Sequence, residues 1–476
     1  MKSLFKSLLK IYFAFITLLF IKPMEVKGKV YLIGTDTTYA PFEYVDENGE
    51  FVGIDVDLIE AIANDQGFEY ELHPIGGPAA IQAVDSGQYD AVLAGVGITP
   101  EREKTFDFTK PYYETSLRFA VLEGSFVNKL EDLSGKRVAA KTGTTGADIA
   151  KKESDKYNFE VLLFEDSVSM YEDLKIGNSE AVVEDYPVMQ YAVNAGRINL
   201  KFIGDEYPTY PFGMGVKKGK NEELIEMFNT GLDNIIQNGI YDKIISSYLG
   251  TTSVNNSENS LYSILKNNVS ALTQGLLNTL IISIVSFAIA FILGLIFSIM
   301  RISHFKFFNT LSKIYIYMIR GIPMIVLAFF IYFGIPQILD ISINPMVAGI
   351  MTVSINAGAY LAEIMRGGIL AVDIGQSEAS HSLGLKPWMN MTYIVIPQAF
   401  KIMIPSFINQ FIITLKDTSI LSVIGVVELT NTGRIIVART YQSADVWLII
   451  GVFYLVLITL LTLLSLKLED NRNGHH

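Results

Sequence analysis

Arg102 and Asp185 carry the two charges that a small zwitterion requires. A guanidinium holds a carboxylate through two parallel N–H donors, and a carboxylate receives an ammonium. Further residues of chemical interest fall at the ends of short apolar runs. Asp36 closes KVYLIGTD, Gly95 and Gly97 close AVLAGVG, Lys141 closes KRVAAK and Asp185 closes EAVVED, while Arg102 sits in TPEREK at a helix start. In KTGTTGAD, residues 141–148, glycines and the pair Thr144 and Thr145 precede a helical stretch. Backbone N–H groups there are placed to receive an anionic group at a helix N-terminus. Taken singly, each residue also has a plain reading: an aspartate after a strand is a turn or cap residue, and an arginine among charges is solvated. As a set they spell a site for an amino acid.

Those strand ends need a frame. From about Val30 to Gly250 short strands alternate with amphipathic helices such as IDVDLIEAIAND and NEELIEMFNTGLDNIIQNG. This alternation predicts an α/β domain, whose ligands bind at the carboxyl ends of its strands. At 476 residues the chain has room for two or three domains. Residues 260–476 hold 13 Lys+Arg and 9 Asp+Glu, leaving 24 and 40 of the chain's 37 and 49 for the first part. An acidic first part excludes nucleic acid as a partner, because phosphates need basic patches. With no cysteine and only five histidines, neither a disulfide nor a zinc site is expected, and no metal is assigned.

At the N-terminus Lys2, Lys6 and Lys10 precede an eleven-residue apolar run, Ile11 to Ile21. Residues 1–28 thus read as a signal peptide or signal anchor, and the domain that follows, 29–250, as exported. TTSVNNSENS then reads as a linker, 251–262. Leu276 to Met300 is a 25-residue run without a charge and Val446 to Leu466 is another of 21. Each is long enough to cross a bilayer. Less uniform spans are predicted near 321–339, 345–363 and 402–425, interrupted by Pro323, Asn356, Asn409, Lys416 and Asp417. Polar groups at membrane depth face a bundle interior or a water-filled path, which makes Asn409, Lys416 and Asp417 candidates for a translocation path; snorkelling at an interface is the competing reading of the last two. Arg301, Lys306 and Lys313 follow the first span, and Arg366 and Lys401 flank, with Lys386 inside, the polar stretch EASHSLGLKPWMNMTYIVIP, 378–397, which places that stretch in the cytoplasm.

Two resemblances join these readings. GTDTTYAPFEYVDENGEFVGIDVDLIEAIA, DAVLAGVGITPEREKTFDFTKPYY, GKRVAAKTGTTG and AVVEDYP together resemble the polar amino-acid-binding proteins of ABC importers, a two-lobed α/β periplasmic-binding fold of type II-like build. The resemblance implies that Arg102 holds the α-carboxylate together with N–H groups near Gly95 and Thr145, that Asp185 holds the ammonium, and that Tyr39 lines an apolar wall. Asp36 and Lys141 would face the ligand side chain, with crossings near Tyr112–Ser116 and Tyr207–Pro211 as the hinge. A carboxamide satisfies an acceptor and a donor at once, so glutamine is the expected ligand; glutamate meets Asp36 as a like charge unless protonated. Two positions depart from the family: Gly97 stands where a hydroxyl is common, and Gly77 near the place of an aromatic platform.

The second part, 263–470, is similar to the histidine/glutamine branch of ABC permeases, an all-α transmembrane domain of about five helices. Glu378, Ala379, Gly384 and Pro397 match the EAA loop, which docks on an ATPase. The chain has no G-x-x-x-x-G-K-[ST] loop, so ATP hydrolysis is expected on a separate subunit and no cofactor is expected on this chain; the resemblance implies that such subunits act in pairs, with two copies of this chain over them. The implied function is a membrane-bound importer subunit with receptor and permease fused, the receptor outside the cytoplasm. The alternative is a ligand-gated channel with an amino-acid-binding domain. Channels of that kind split the binding domain around the membrane part and carry a pore filter; here both lobes precede the main spans and no TVGYG-like segment occurs.

Overall fold

VYLIGT, six residues rich in β-branched and apolar side chains, forms the strand β1 (Val30–Thr35), with its last three residues buried. The computed structural model describes residues 29–46, 50–249, 261–339 and 341–473. The expected signal segment and most of the expected linker lie outside the described residues. After β1 come β2 (Thr38–Tyr39), β3 (Glu43–Val45), β4 (Phe51–Val52), β5 (Glu69–Pro74), β6 (Ala91–Val92) and β7 (Phe106–Phe108). The second group is β8 (Ser116–Leu122), β9 (Arg137–Lys141), β10 (Glu160–Phe164), β11 (Ala181–Asp185) and β12 (Leu200–Pro208), and β13 (Gly215–Lys217) follows.

Ten of the strands make two five-stranded sheets, ordered β5-β1-β6-β13-β7 and β10-β9-β11-β8-β12, and β2-β3-β4 form a small third sheet beside the first. In the first, β5 and β6 run parallel to β1; in the second, β10 and β11 run parallel to β9. Each five-stranded sheet is the centre of one lobe. The chain crosses between lobes after β7 and again after β12, where Ser116 pairs with Pro208. These are the two predicted hinge stretches.

Helix α1 (Ile54–Gln66) shows how the first lobe closes. Ile54, Leu58, Ile59 and Ile62 recur on one face and are fully buried, while Asp55 and Asp57 occupy the first turn, where the helix dipole favours negative charge. Its buried face joins Ile33, Phe42, Phe212 and Phe228 in one core. Phe119, Val138, Ala140 and Val183 form the core of the second lobe. Helices α2 (Gly77–Asp85) and α3 (Thr145–Tyr157) start at the cleft, and α4 (Ser167–Lys175) lies behind it.

The helical second part begins with α5 (Leu261–Ile302), which at 42 residues is about 63 Å long, twice the hydrocarbon thickness of a bilayer. Among the described residues four helices are long and apolar enough to cross a membrane: α5, α7 (Pro345–Leu370), the stretch 387–424 and the segment 443–463. A fifth candidate is a pair, α6 (Lys306–Gly321) with Met324–Leu339, bent by 107°. The span expected near 321–339 is therefore one arm of a broken element, split where Pro323 offers no N–H to continue the ladder. Small residues let α7 press against α5: a side chain at Gly294 would meet Leu361 at 2.7 Å, and one at Gly358 would meet Leu293 at 3.0 Å. The chain continues through α8 (Ile374–Ser382), α9 (Ile396–Asp417), α10 (Leu429–Thr440) and α11 (Ser443–Asn473).

Both lobes touch the helical part. In the first, Gln88 accepts from the Ile343 amide at 2.6 Å and donates to the Tyr332 carbonyl, and the Tyr332 hydroxyl donates to that of Tyr89 at 3.1 Å. The second lobe meets α10: Arg434 lies 3.4 Å from Asp166 and 4.0 Å from Glu165. Tyr441, turned by a left-handed residue conformation at the end of α10, sets its ring 6.0 Å from that of Tyr171.

Candidate functional site

The eight residues expected to hold a ligand, Asp36, Tyr39, Gly95, Arg102, Lys141, Thr144, Thr145 and Asp185, line one cavity between the lobes. The topology explains the convergence. Asp36 follows the last residue of β1, while Lys141 and Asp185 are the final residues of the adjacent strands β9 and β11. Carboxyl ends of parallel strands from both sheets thus face each other across the cleft.

Lys141 and Asp36 meet in the middle, Nζ to Oδ2 at 2.5 Å, each side chain 5% exposed. Asp36 also accepts from the amides of Thr37 and Thr38, at 2.6 and 3.2 Å. Burial, the largest single influence, opposes charge on both members, but each is the other's remedy: the Lys141 ammonium and the two amides bring Asp36 below the ordinary carboxylate range, and Asp36 with Glu184 brings Lys141 above its ordinary value. The pair was expected to face a ligand side chain; in the structure its two members face each other. Gly77 makes this possible, since a side chain there would stand 2.9 Å from Asp36 Oδ2. The glycine that departs from the family pattern is a space requirement of the ion pair.

Asp185 accepts from the Tyr39 hydroxyl and, at 3.0 Å, from Thr115 Oγ1. Burial pushes its carboxyl up to about 6, against those hydrogen bonds and the charges of Lys141 and Arg102. Tyr39 is more than an apolar wall, because its ring also lies 4.6 Å from the Lys141 ammonium. Arg102 spans the cleft, donating from Nη1 to Gly97 O at 2.9 Å and from Nη2 to Gly143 O at 2.7 Å. Desolvation lowers its pKa, but a guanidinium keeps its proton in any protein setting. Thr144 caps α3, its hydroxyl accepting from Ala147 N at 3.3 Å, so Thr145 opens the helix with an N–H that has no partner within it.

One expected donor is already engaged. The Gly95 amide is given to Asp55 Oδ2 at 3.0 Å, so among amides of this wall a neighbour's would have to meet a carboxylate. Asp55 and Thr115 are the residues that sequence reasoning missed. Thr115 lay inside the predicted hinge, and Asp55 inside the stretch GIDVDL, where an aspartate at a helix start reads as a dipole partner.

The helical part places its own candidates differently. Glu378 and Ala379 lie on α8, which ends in a Schellman turn: Gly384 N donates to His381 O at 2.9 Å and Leu385 N to Ser380 O at 3.1 Å. Gly384 has φ +78°, a left-handed conformation that suits glycine. Asn409 and Lys416 share the exposed face of α9, and Asp417, half-buried, ends that helix.

Two family patterns match this chain: bacterial extracellular solute-binding proteins, family 3, over residues 31–251, and the binding-protein-dependent transport system inner membrane component over residues 290–473. The glutamine transport system permease protein GlnP of Escherichia coli (strain K12) is 38% identical over 199 residues, 42% of this chain and 91% of that protein. The arginine transport system permease protein ArtQ of Bacillus subtilis (strain 168) is 36% identical over 196 residues, 41% of this chain and 90% of that protein. On the receptor side, a probable histidine-binding protein of Neisseria gonorrhoeae is 31% identical over 229 residues, 48% of this chain and 85% of that protein. With a receptor cleft in one part and a bundle of apolar helices in the other, the chain belongs to the polar amino-acid ABC importers, as a member in which a family 3 solute-binding domain and a permease domain are fused in one polypeptide.

Proposed function

We propose that the domain 29–250 captures glutamine outside the cytoplasm and that the domain 263–470 passes it through the membrane, driven by a separate ATPase. The observation that carries this reading is the cavity in which Arg102, Asp185 and the Asp36–Lys141 pair converge. Arg102 serves the α-carboxylate with the free N–H of Thr145, and Asp185 serves the ammonium. Asp36 and Lys141, parted slightly, present an acceptor and a donor to a carboxamide. The cavity is about 40 Å³, close to the room of one water, so the ligand enters by opening the hinge and displacing the Tyr39 hydroxyl from Asp185. The likeness to a glutamine permease adds support for this substrate.

In the permease, Glu378, Ala379 and Gly384 form the surface that meets the ATPase. Leu383 and Trp388 are 82% and 59% exposed beside them, an apolar rim that suits a cleft in a soluble partner. ATP is used by that partner, and this chain needs no cofactor. The exposed face of α9 carries Ser406, Asn409 and Lys416, spaced by three and seven residues. Polar groups facing lipid are costly, so this face, continued by Asp417, is assigned to a path shared with a second copy of the chain. The channel alternative loses ground to the permease pattern across residues 290–473.

The test is a competition panel of amino acids against radiolabelled glutamine, on the full chain in lipid nanodiscs. Displacement by glutamine ahead of arginine, lysine and histidine is expected. Stronger displacement by arginine or lysine would overturn the glutamine assignment and leave the importer reading intact.

A further inference from the structure

Behind the cavity wall lies a second acidic pair that the capture scheme does not use. Asp55, in the first turn of α1, is 1% exposed, and Glu43, on β3, is fully buried. Asp55 Oδ2 is fully engaged, accepting from Gly95 N at 3.0 Å and from the Tyr112 hydroxyl at 2.8 Å. Three oxygens have no hydrogen-bond partner among the described residues: Asp55 Oδ1 and both carboxylate oxygens of Glu43. Ionised carboxylates only accept, so two of them side by side leave such orphans. The two residues adjoin, Asp55 N donating to Phe42 O at 2.9 Å, so a single proton held between Glu43 and Asp55 Oδ1 gives partners to two of the three oxygens and removes the like-charge conflict.

We infer that Glu43 and Asp55 share one proton, and that the protonated pair is a positioning device tying the pocket wall at Gly95 to the hinge at Tyr112, so that amino-acid capture depends on keeping it. The inference rests on the capture role proposed above. Gly95 lines the cavity, and Tyr112 opens the first crossing between the lobes. Asp55 thus holds both, and Glu43 decides whether Asp55 stays in place.

The surroundings favour the proton. Burial, then the charge of Asp55 and that of Asp36, raise Glu43 well above the carboxylate range, and Lys141 opposes them. Burial pushes Asp55 up to about 6, against its hydrogen bonds from Gly95 and Tyr112. Asp36 and Lys141 largely cancel as an ion pair. The phenols of Tyr39 and Tyr112 are raised and remain neutral, and Arg439 of α10 reaches the end of this strand at the Asp46 carbonyl, 2.5 Å away. Because the folded values lie above the ordinary ones, stability from the pair is full at acid pH and is lost as pH rises through the folded values. Two like charges then repel inside the wall, and Gly95 or Tyr112 must give way.

Glutamine titrations of the full chain in nanodiscs between about pH 5.5 and 8.5 test this, with Glu43→Gln as the comparison, because an amide donates as the protonated acid does and does not titrate. Ionisation of Asp185, which meets the ligand ammonium, is common to both proteins, so the ratio is read: affinity of the parent relative to that of Glu43→Gln is expected to fall about tenfold across the range, one unit of linked protonation. Infrared spectra at neutral pH are expected to show a protonated-carboxyl carbonyl band in the parent that Glu43→Gln lacks. Parallel pH profiles in the two proteins, or a band unchanged by the substitution, would overturn the inference. A parent that binds no amino acid at any pH sinks the capture role instead, and the infrared band then decides the pair alone. Should Glu43→Gln fail to fold, Asp55→Asn takes its place in the infrared comparison, where the loss or persistence of the band has the same meaning.

Discussion

At the scale of single residues, the Asp36–Lys141 pair makes the strongest demand on its surroundings. Lys141→Leu leaves a buried carboxylate without its cation, and breaking such a pair costs about 3–5 kcal/mol. Thermal denaturation should show that loss, and Asp36→Asn in the same chain should recover most of it. Asp36 is held below the ordinary carboxylate range, so its contribution to stability is present above about pH 4 and is lost as pH falls through the folded value; Lys141→Leu should abolish that acid limb. Lysine and arginine should then compete with glutamine, because the orphaned Asp36 accepts a ligand cation. Arg102→Lys keeps the charge but loses the fork that reaches Gly97 and Gly143 across the cleft. A loss of roughly 1.5–3 kcal/mol, at least tenfold in glutamine affinity by calorimetry, is expected. These residues were legible because strand ends in an α/β pattern announce themselves by residue type. Their mutual distances were not, and so the sequence suggested two side chains facing a ligand where the structure has an ion pair. Asp55 escaped because a helix-start aspartate has a sufficient local reason to exist.

Among the elements, the helix–turn at 374–384 is the one whose form can be broken by one change. Gly384 adopts φ +78° with open space around it, so Gly384→Trp strains the turn and puts bulk on the docking surface without disturbing a core. Uptake into vesicles and amino-acid-stimulated ATP hydrolysis should fall together by at least about tenfold, with glutamine affinity unchanged; unchanged uptake would remove this turn from the coupling surface. Long uncharged runs gave away the outer spans, since twenty apolar residues have few other fates. The bent pair after α5 was only half legible. Pro323 marked a break, but propensity alone does not say that the arm before it, rich in charged and aromatic residues, turns through 107° to meet the other.

Across the whole molecule, the contacts of both lobes with the helical part were invisible in the sequence, because nothing in Gln88 or Arg434 taken alone names a partner more than two hundred residues away. Arg434→Glu should repel Asp166 and Glu165 and lower uptake about fivefold, a modest factor for a partly solvated ion pair. Glutamine affinity of the full chain should fall by the smaller share of binding that this one contact of the seat supplies, and Asp166→Arg in the same chain should restore part of both. Vesicle uptake beside calorimetry separates the two quantities. The double grip, Gln88 from one lobe and the Asp166–Tyr171 side of the other, makes the permease itself an effector of the receptor. In the structure both attachments are made in the same lobe placement that brings Arg102, Lys141 and Asp36 together across the cleft. Linkage then demands reciprocity: by whatever factor a captured amino acid favours seating on the permease, seating raises affinity for the amino acid by the same factor. Release into the membrane path must be driven by something that prises the seated lobes apart, and the thermodynamic cycle assigns that expenditure to the step at which the helices change their arrangement.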